Sequence, residues 1–284
     1  IVVSSLLAPV IVELGQQNGL IVPLIAVHLF VFYFGIMPDV TPPVGLASFA
    51  AAAVSGGDPI KTGFVAFFYS LRTAASPFLF IFNTDLLLIN VTWIQGIFVF
   101  IVATVAILVF AASTQGFFFS RNKWYESLAL LLIAFTLFRP GFWMDIVSPR
   151  FDVVDPAQIS EKLKDTPIGK EMRFTVLGEN DAGSEREFVI ILPVGEGSSA
   201  TEKLESSGLG IIKGDGGKYI VDDVGYDSIA QTAGLDFDQQ ILSAWIPVDH
   251  LPKQLMYIPA LLLLGLIIII QRRRYRIENP SGEI

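Results

Sequence analysis

The sequence predicts an α-helical polytopic membrane protein with a broken or re-entrant helix, into which a small β-rich soluble domain is inserted. Mean hydropathy is +0.60 and 52% of the 284 residues are hydrophobic, which is too apolar for one soluble domain of this length. Charge is unevenly spread, because residues 144–253 hold twenty Asp and Glu against ten Lys and Arg, whereas residues 1–143 hold five of each. Two membrane regions are therefore expected to flank one acidic, water-soluble domain.

The first two apolar segments are followed by an interruption rich in proline and glycine. Residues 4–14 end in turn-forming residues, and residues 20–36 would form a helix of about 25 Å, which is short for a full span of the hydrocarbon core. Residues 35–49 then place two adjacent prolines, two glycines, a carboxylate and a hydroxyl in apolar surroundings, and residues 44–55 resume as a small-residue helix. Freed carbonyls at membrane depth must be met by protein, water or an ion, so the pattern predicts a re-entrant hairpin or a discontinuous helix.

Four further apolar segments complete the predicted membrane regions. Residues 63–88 are long enough to span, but an arginine and a proline inside them indicate that they face protein rather than lipid. Residues 93–112 are an unbroken apolar run and predict a transmembrane helix. Residues 127–138 begin the next span, and residues 255–270 form the last one.

Two basic segments predict one orientation of the chain. Arg121 and Lys123 lie in a loop between predicted spans, and residues 272–276 place four arginines directly after the last span. Because such residues favour the cytoplasmic side, both segments should lie inside and the soluble domain outside. The predicted parts are a membrane region at residues 1–112 and an interfacial loop with a transmembrane helix at 113–143. The outer soluble domain follows at 149–252, then a final transmembrane helix at 254–271 and a cytoplasmic basic tail at 272–284.

The soluble region resembles a PDZ domain in the order of its segments. Residues 172–177 and 186–193 are rich in β-branched and aromatic residues, as strands are. Next come a Gly-Leu-Gly-like loop at residues 207–212 and a strand at 218–224. An "S.A...GL" segment at 227–235 then leads to a last strand at 240–242. The resemblance implies that four residues form a peptide-binding loop, namely Gly208, Leu209, Gly210 and Ile211. The usual Gly-Asp before the last strand is absent, and a second peptide-flanking helix is not evident, so peptide binding is less supported than the topology.

The interruption holds candidate ligands for a cation and a substrate, since broken helices form such sites in secondary transporters. The Thr41 hydroxyl, Asp39 and the backbone at Gly45 are expected to bind sodium together with carbonyl oxygens of residues 38–44. Each interpretation has an alternative. The alternative to an ion site is that the adjacent prolines form only a rigid kink, and the alternative to ion binding by Asp39 is that it caps the following helix. Ser48, one turn beyond Gly45, is a candidate substrate ligand or a small residue that permits close packing.

The other unusual polar residues have weaker functional interpretations. Arg72 is a candidate partner for an anionic substrate, with a structural role on the broken helix as the alternative. His28 is expected to be a packing residue, and His250 lacks the paired ligands of a metal site. With no cysteine in the chain, disulfides and thiolate sites are excluded. The acidic surface of the soluble domain argues against nucleic acid or anionic lipid as the partner of that domain.

The membrane part resembles a known transporter family. Residues 28–49, with the sequence HLFVFYFGIMPDVTPPVGLASF, and residues 57–63, GDPIKTG, are similar to the C-terminal end of the large membrane subunit (DctM-like) of TRAP transporters. The similarity is greatest to the fused permeases that work with TAXI-type binding proteins, and it covers residues 1–112. Some members carry an appended outer-face domain with a further helix, which fits residues 127–276.

This resemblance implies sodium-driven uptake of a small organic anion, such as a carboxylate, delivered by a periplasmic TAXI-type binding protein. It implies a multi-pass protein of the bacterial inner membrane, in contact with lipid, with residues 149–252 periplasmic and the C-terminus cytoplasmic. Sodium would be the coupling ion, with no organic cofactor. The chain starts at Ile1 without a signal-peptide pattern, and we expect a fragment that begins inside a helix.

Two other classes of function can be compared with the sequence. A membrane scaffold or regulatory protein whose PDZ-like outer domain binds a partner is the main alternative to a transporter. A membrane protease is disfavoured, because the sequence contains no His-Glu-x-x-His or Gly-x-Ser-x-Gly motif and has only two histidines. The chain is therefore not expected to be an enzyme.

Overall fold

The computed structural model describes residues 2–18, 20–89, 91–179 and 185–279. The chain divides into two compact units, which are treated separately below. The helical unit comprises Ile1–Pro9, Val22–Val147 and Leu251–Ile284, and the β unit comprises Val10–Ile21 and Ser148–His250.

The α-helices of the described residues fall mainly before and after the β unit. They are α1 Val2–Gln17, α2 Leu24–Ile36, α3 Leu46–Ser55, α4 Pro59–Phe82, α5 Trp93–Gln115, α6 Trp124–Phe138, α7 Pro140–Val147, α8 Ile159–Lys164, α9 Ala200–Ser206, α10 Ile229–Thr232 and α11 Tyr257–Glu278. Within the described ranges, three helical stretches are long and apolar enough to cross a membrane, namely α4, α5 and Lys253–Glu278, which contains α11. The pair α6 and α7 makes a fourth candidate span if the two helices are counted together.

The predicted interruption of the second apolar segment is present. Helix α2 ends at Ile36, a 3-10 turn follows at Met37–Asp39, and α3 begins at Leu46. Both short helices are apolar, but neither reaches the length of a full span. The break therefore separates two half-length helices, as the prolines and glycines predict.

Two predicted helix ends differ from the structure. The helix expected over residues 63–88 starts earlier, at Pro59, because Asp58 caps it by accepting a hydrogen bond from the Lys61 amide at 2.8 Å. It ends at Phe82, and a 3-10 turn follows at Thr84–Leu87. The span that was expected to begin over residues 127–138 bends by 82° after Phe138 and continues as α7.

Helices α5, α6 and α11 share one apolar core. Small residues at the contacts allow the helix backbones to approach closely, as in other membrane helix pairs. The core residues include Ala106, Ala112, Ala134 and Ala260 together with Val109, Leu130, Ile133, Leu137, Leu264 and Ile267. The spans before and after the β unit are thus packed against each other.

The β unit is built on a six-stranded antiparallel sheet. The strands are β1 Phe151–Val154, β2 Glu171–Glu179, β3 Glu185–Pro193, β4 Leu209–Lys213, β5 Tyr219–Val224 and β6 Gln240–Pro247. The order across the sheet is β3-β2-β6-β5-β4, and β1 also pairs with β6. Strand β4 therefore pairs only with β5 and forms an edge. Phe174, Leu163, Leu192 and Val221 lie in the core with at most 1% exposure.

Strand β1 and the two helices α8 and α9 were not predicted from the sequence. Lys203 explains how α8 is held, because its buried ammonium donates to the carbonyls of Leu163, Lys164 and Thr166 at 3.1, 2.7 and 2.8 Å. Two of these carbonyls belong to the last residues of α8 and the third lies two residues beyond it, where the acceptors of a helix end need partners from outside the helix. The hydrogen-bond donor is a lysine about forty positions further along the chain, so no local sequence pattern predicts this contact.

Candidate functional site

The broken helix closes on itself through three short hydrogen bonds. The Thr41 hydroxyl donates to the Met37 carbonyl at 2.8 Å. The Gly45 amide donates to the carbonyls of Pro38 and Thr41, both at 3.0 Å. Gly45 has a φ of +43°, a left-handed conformation that residues with a side chain rarely adopt, and it forms the N-cap of α3. The backbone is thus turned sharply just before α3 begins.

A cavity of about 490 Å³ lies between this turn, α3 and α4. Its lining residues are Thr41, Pro42, Pro43, Gly45, Ser48, Phe49, Pro59, Ile60, Gly63, Phe64 and Phe67. Gly63 lets α4 approach the turn, because a Cβ at this position would lie 3.2 Å from Pro42 Cγ. The close packing of α4 on the prolines therefore depends on a glycine that sequence analysis did not single out.

Ser48 is the most unusual residue of the cavity. Its side chain is buried, with 3% exposure, and its Oγ has no hydrogen-bond partner among the described residues. A buried hydroxyl without a partner costs about 1–3 kcal/mol. The Ser48 hydroxyl is thus available to an ion or molecule that enters the cavity.

The backbone of the turn leaves further acceptors open. Within the described part of the chain, no hydrogen bond ends on the carbonyl oxygen of Pro42 or Pro43. Proline cannot donate an amide hydrogen, so these two residues also cannot bond one another through N–H groups. The cavity is therefore bordered by residues that supply two hydroxyls and two carbonyl oxygens, with no charged side chain among the lining residues.

The structure brings together three of the five residues predicted for this site. Thr41, Gly45 and Ser48 line the cavity, whereas Asp39 is exposed and does not. Asp39 lies in the 3-10 turn before the cavity, so its part in ion binding stays a prediction. Arg72 belongs to α4, but its side chain lies outside the described residues. His28 is a satisfied packing residue, with Nδ1 2.6 Å from Ser4 Oγ.

A second cavity, of about 440 Å³, lies within the β unit beside the edge strand β4. Gly208, Leu209, Gly210 and Ile211 all line it, together with residues of α8 and α9. The Gly208 amide already donates to the Glu205 carbonyl at 2.9 Å, at the end of α9. This amide is not free to bind a peptide carboxylate.

The charge of this second cavity also bears on its ligand. Glu205, Asp222 and Asp223 line it, and no lysine or arginine is among the lining residues. Carboxylates repel a peptide C-terminus and attract basic groups. The four-residue peptide site stays a prediction, and these acids argue against a carboxylate ligand. Within the described residues, no group of three or more potential metal ligands is found.

The fold and the cavity define the class of protein: a polytopic membrane protein with a broken helix beside a cavity that two hydroxyl side chains border, joined to a β-sheet domain. Residues 96–276 match the family model described as Domain of unknown function (DUF3394), and the chain belongs to this family. Residues 1–97 match the model for the Tripartite ATP-independent periplasmic transporter, DctM component. Comparison with curated proteins and with solved structures gives no match.

The DctM match supports a TRAP-type transporter permease. Members of that family are non-enzymatic permeases of the inner membrane that work with a periplasmic substrate-binding protein. The two matched ranges meet at residues 96–97, near the start of α5. The break and its cavity lie wholly in the DctM range, and the β unit from residue 148 lies wholly in the DUF3394 range.

Proposed function

We propose that this chain is the permease part of a sodium-coupled TRAP transporter that takes up a small organic anion delivered by a TAXI-type binding protein. The observation that carries the proposal is the buried Ser48 hydroxyl, which has no partner among the described residues and borders the cavity at the broken helix. In this proposal the β unit is periplasmic, the C-terminus is cytoplasmic and sodium is transported with the anion.

The oxygen atoms around the cavity suit sodium. A hydroxyl has one hydrogen to donate and two lone pairs to accept, and Thr41 already gives its hydrogen to the Met37 carbonyl. Its lone pairs stay available for a cation. Ser48 Oγ and the carbonyls of Pro42 and Pro43 add further neutral oxygens, the kind of ligand that unwound helices offer to sodium in transporters.

The apolar wall strengthens this interaction. Phe49, Phe64 and Phe67 line the cavity and give it an apolar wall. Electrostatic attraction between a cation and oxygen dipoles increases as the local dielectric constant falls. Bound sodium would supply positive charge for the carboxylate of the substrate, and Arg72 on α4 is the candidate second partner for that carboxylate.

The test is sodium-dependent uptake by the full protein in liposomes, supplied with its binding protein. Thr41→Ala and Ser48→Ala should each raise the sodium concentration for half-maximal uptake, because each removes one oxygen ligand. Thr41→Ser should keep near-normal sodium dependence, and Ser55→Ala, a matched change at the other end of α3, should leave it unchanged. Uptake that ignores the sodium gradient would disprove sodium coupling.

A second candidate function rests on the β unit, as a PDZ-like module that binds a partner. Strand β4 is a sheet edge, and it lines a cavity of about 440 Å³. An extended peptide could add to such an edge through main-chain hydrogen bonds. Ile212 lines this cavity with 42% exposure, so Ile212→Lys should weaken binding of a basic peptide without unfolding the sheet, because it adds a positive charge to an acidic cavity. Unchanged binding by this variant would rule out the edge as the docking site.

A further inference from the structure

The loop between α5 and α6 and the end of α11 form one strongly basic edge of the helical unit. This basic edge consists of Arg121, Lys123, Arg272, Arg273, Arg274 and Arg276, and five of the six are exposed while Arg274 is half-buried. Glu126 and Glu278 are the acids on the same segments. The positive charge is concentrated here although the whole chain carries a net charge of −8.

Buried polar contacts hold the two parts of this edge together. Gln271 is fully buried, and its Nε2 donates to Asn122 Oδ1 at 2.9 Å, while its Oε1 accepts from the Phe119 amide at 3.1 Å. The Arg274 guanidinium donates to the Arg121 carbonyl at 3.1 Å. These hydrogen bonds therefore hold the arginines of α11 next to the basic loop.

Aromatic side chains accompany the basic edge, as is typical of the membrane interface. Arg272 lies over the ring of Phe119 at 4.9 Å, and Lys123 lies over the ring of Tyr125 at 5.9 Å. Trp124 is 79% exposed at the start of α6. This edge therefore has the composition of a segment that meets lipid headgroups.

An apolar groove of about 880 Å³ begins next to the basic edge. Tyr125, whose ring contacts Lys123, lines one part of it, and Phe138 at the end of α6 also lines it. Thirteen residues of helix separate the two, or about 20 Å, which exceeds the roughly 15 Å hydrocarbon depth of one leaflet. Residues of α4 and α5, such as Leu79 and Phe110, form the other walls.

We propose that this groove and the basic edge together bind one anionic phospholipid, with an acyl chain along α6 and the headgroup phosphate at Lys123, Arg121 and Arg272. The groove alone would accept any apolar chain. The positive charge at its Tyr125 end selects a lipid with a negative headgroup, since each basic residue near such a surface contributes about 1 kcal/mol. The lipid would then join α4, in the DctM range, to α5 and α6, which carry the DUF3394 domain.

The first experiment measures lipid selection by the full protein. Purified protein is equilibrated with vesicles of equal phosphatidylcholine and phosphatidylglycerol, and the lipid it retains is counted by native mass spectrometry. Wild type should retain phosphatidylglycerol preferentially. In the triple variant Arg121→Gln, Lys123→Gln, Arg272→Gln, the ratio of retained phosphatidylglycerol to phosphatidylcholine should fall about fivefold for each residue changed. The control Lys164→Gln, Lys213→Gln, Lys218→Gln removes the same charge from exposed positions of the β unit and should keep the preference.

The second experiment tests the groove. Leu132 lines it and is 47% exposed, so Leu132→Trp should fill the groove without unfolding the helix and should reduce retention of both lipids. Leu262→Trp, a matched change at a 70% exposed position of α11 outside the groove, should leave retention unchanged. Equal retention of the two lipids by wild type would overturn the proposal. So would full retention by Leu132→Trp, or a polypeptide found bound in the groove in place of lipid.

Discussion

Gln271 donates a hydrogen bond from Nε2 to Glu126 Oε2 at 3.0 Å, across 145 positions of sequence. Glu126 opens α6, before the β unit, and Gln271 lies in α11, after it. The same carboxylate accepts from the Lys123 amide at 3.0 Å and pairs with Arg274. One carboxylate thus fixes the helix that leads into the inserted domain to the helix that leaves it.

We predict that Glu126→Ala destabilises the helical unit by about 3 kcal/mol, because Arg274 and Gln271 would lose a buried partner. Thermal unfolding of the purified protein in detergent measures this effect. Glu278→Ala, at an exposed carboxylate on the same helix as Gln271, should change the midpoint little. Equal midpoints for Glu126→Ala and wild type would show that the network contributes nothing to stability.

The predicted orientation is testable with single cysteines, since the chain has none of its own. Tyr226 is 95% exposed in the β unit, and Glu278 is exposed at the end of α11. In intact cells, Tyr226→Cys should react with a membrane-impermeant thiol reagent, whereas Glu278→Cys should react only after permeabilisation. The opposite labelling pattern would reverse the topology derived from the basic loops.

Residues 148–250 of the β unit should fold as an isolated segment, because they contain all the residues of its buried core. Circular dichroism and thermal melting should show a single cooperative transition. Phe174→Ala, at a core position with 1% exposure, should cost about 3–5 kcal/mol. Tyr226→Ala, at an exposed position, should cost less than about 0.5 kcal/mol. A disordered spectrum for the wild-type segment would contradict independent folding.

The stability of this segment should fall in acid partly through Glu202. Hydrogen bonds from the amide and hydroxyl of Ser198 and the amide of Ser199 hold the pKa of Glu202 below its usual value. A carboxylate with a lowered folded-state pKa stabilises the fold above its unfolded pKa of about 4.3, and this contribution is lost as the pH falls through the folded-state value.

We therefore expect Glu202→Gln to lower the melting temperature at pH 7 and to match wild type near pH 3. Glu187→Gln, at an exposed strand position, serves as the control and should follow the wild-type curve. A difference between Glu202→Gln and wild type that does not change with pH would exclude the carboxylate charge as its cause.

Local patterns predicted those features that depend on neighbours in sequence. Apolar runs identified the spans now seen as α5 and α11, and the prolines located the break between α2 and α3. The loop signals before residue 185 separated two strands that pair in the structure as β2 and β3. The short helices of the β unit were missed, because segments of six or seven residues are held by distant partners such as Lys203 rather than by their own pattern.

The candidate site was predicted in part for the same reason. Thr41, Gly45 and Ser48 were identified because they surround the prolines, and they do line one cavity. Gly63 was not identified, because its importance comes from the turn before α3, where Pro42 Cγ would lie 3.2 Å from a Cβ at position 63. Asp39 was predicted from its place in the same motif, but it is exposed in the 3-10 turn and is not among the residues that line the cavity.

The sequence by itself determined that this chain enters the membrane, that one helix is broken and that an acidic β domain is inserted between spans. Composition and turn chemistry act locally, so they are readable without coordinates. Only the tertiary structure decided that the Ser48 hydroxyl is buried without a partner, that α6 turns by 82° into α7 and that Glu126 meets Gln271. Each of these depends on which helices pack together, and packing joins residues that no local pattern relates.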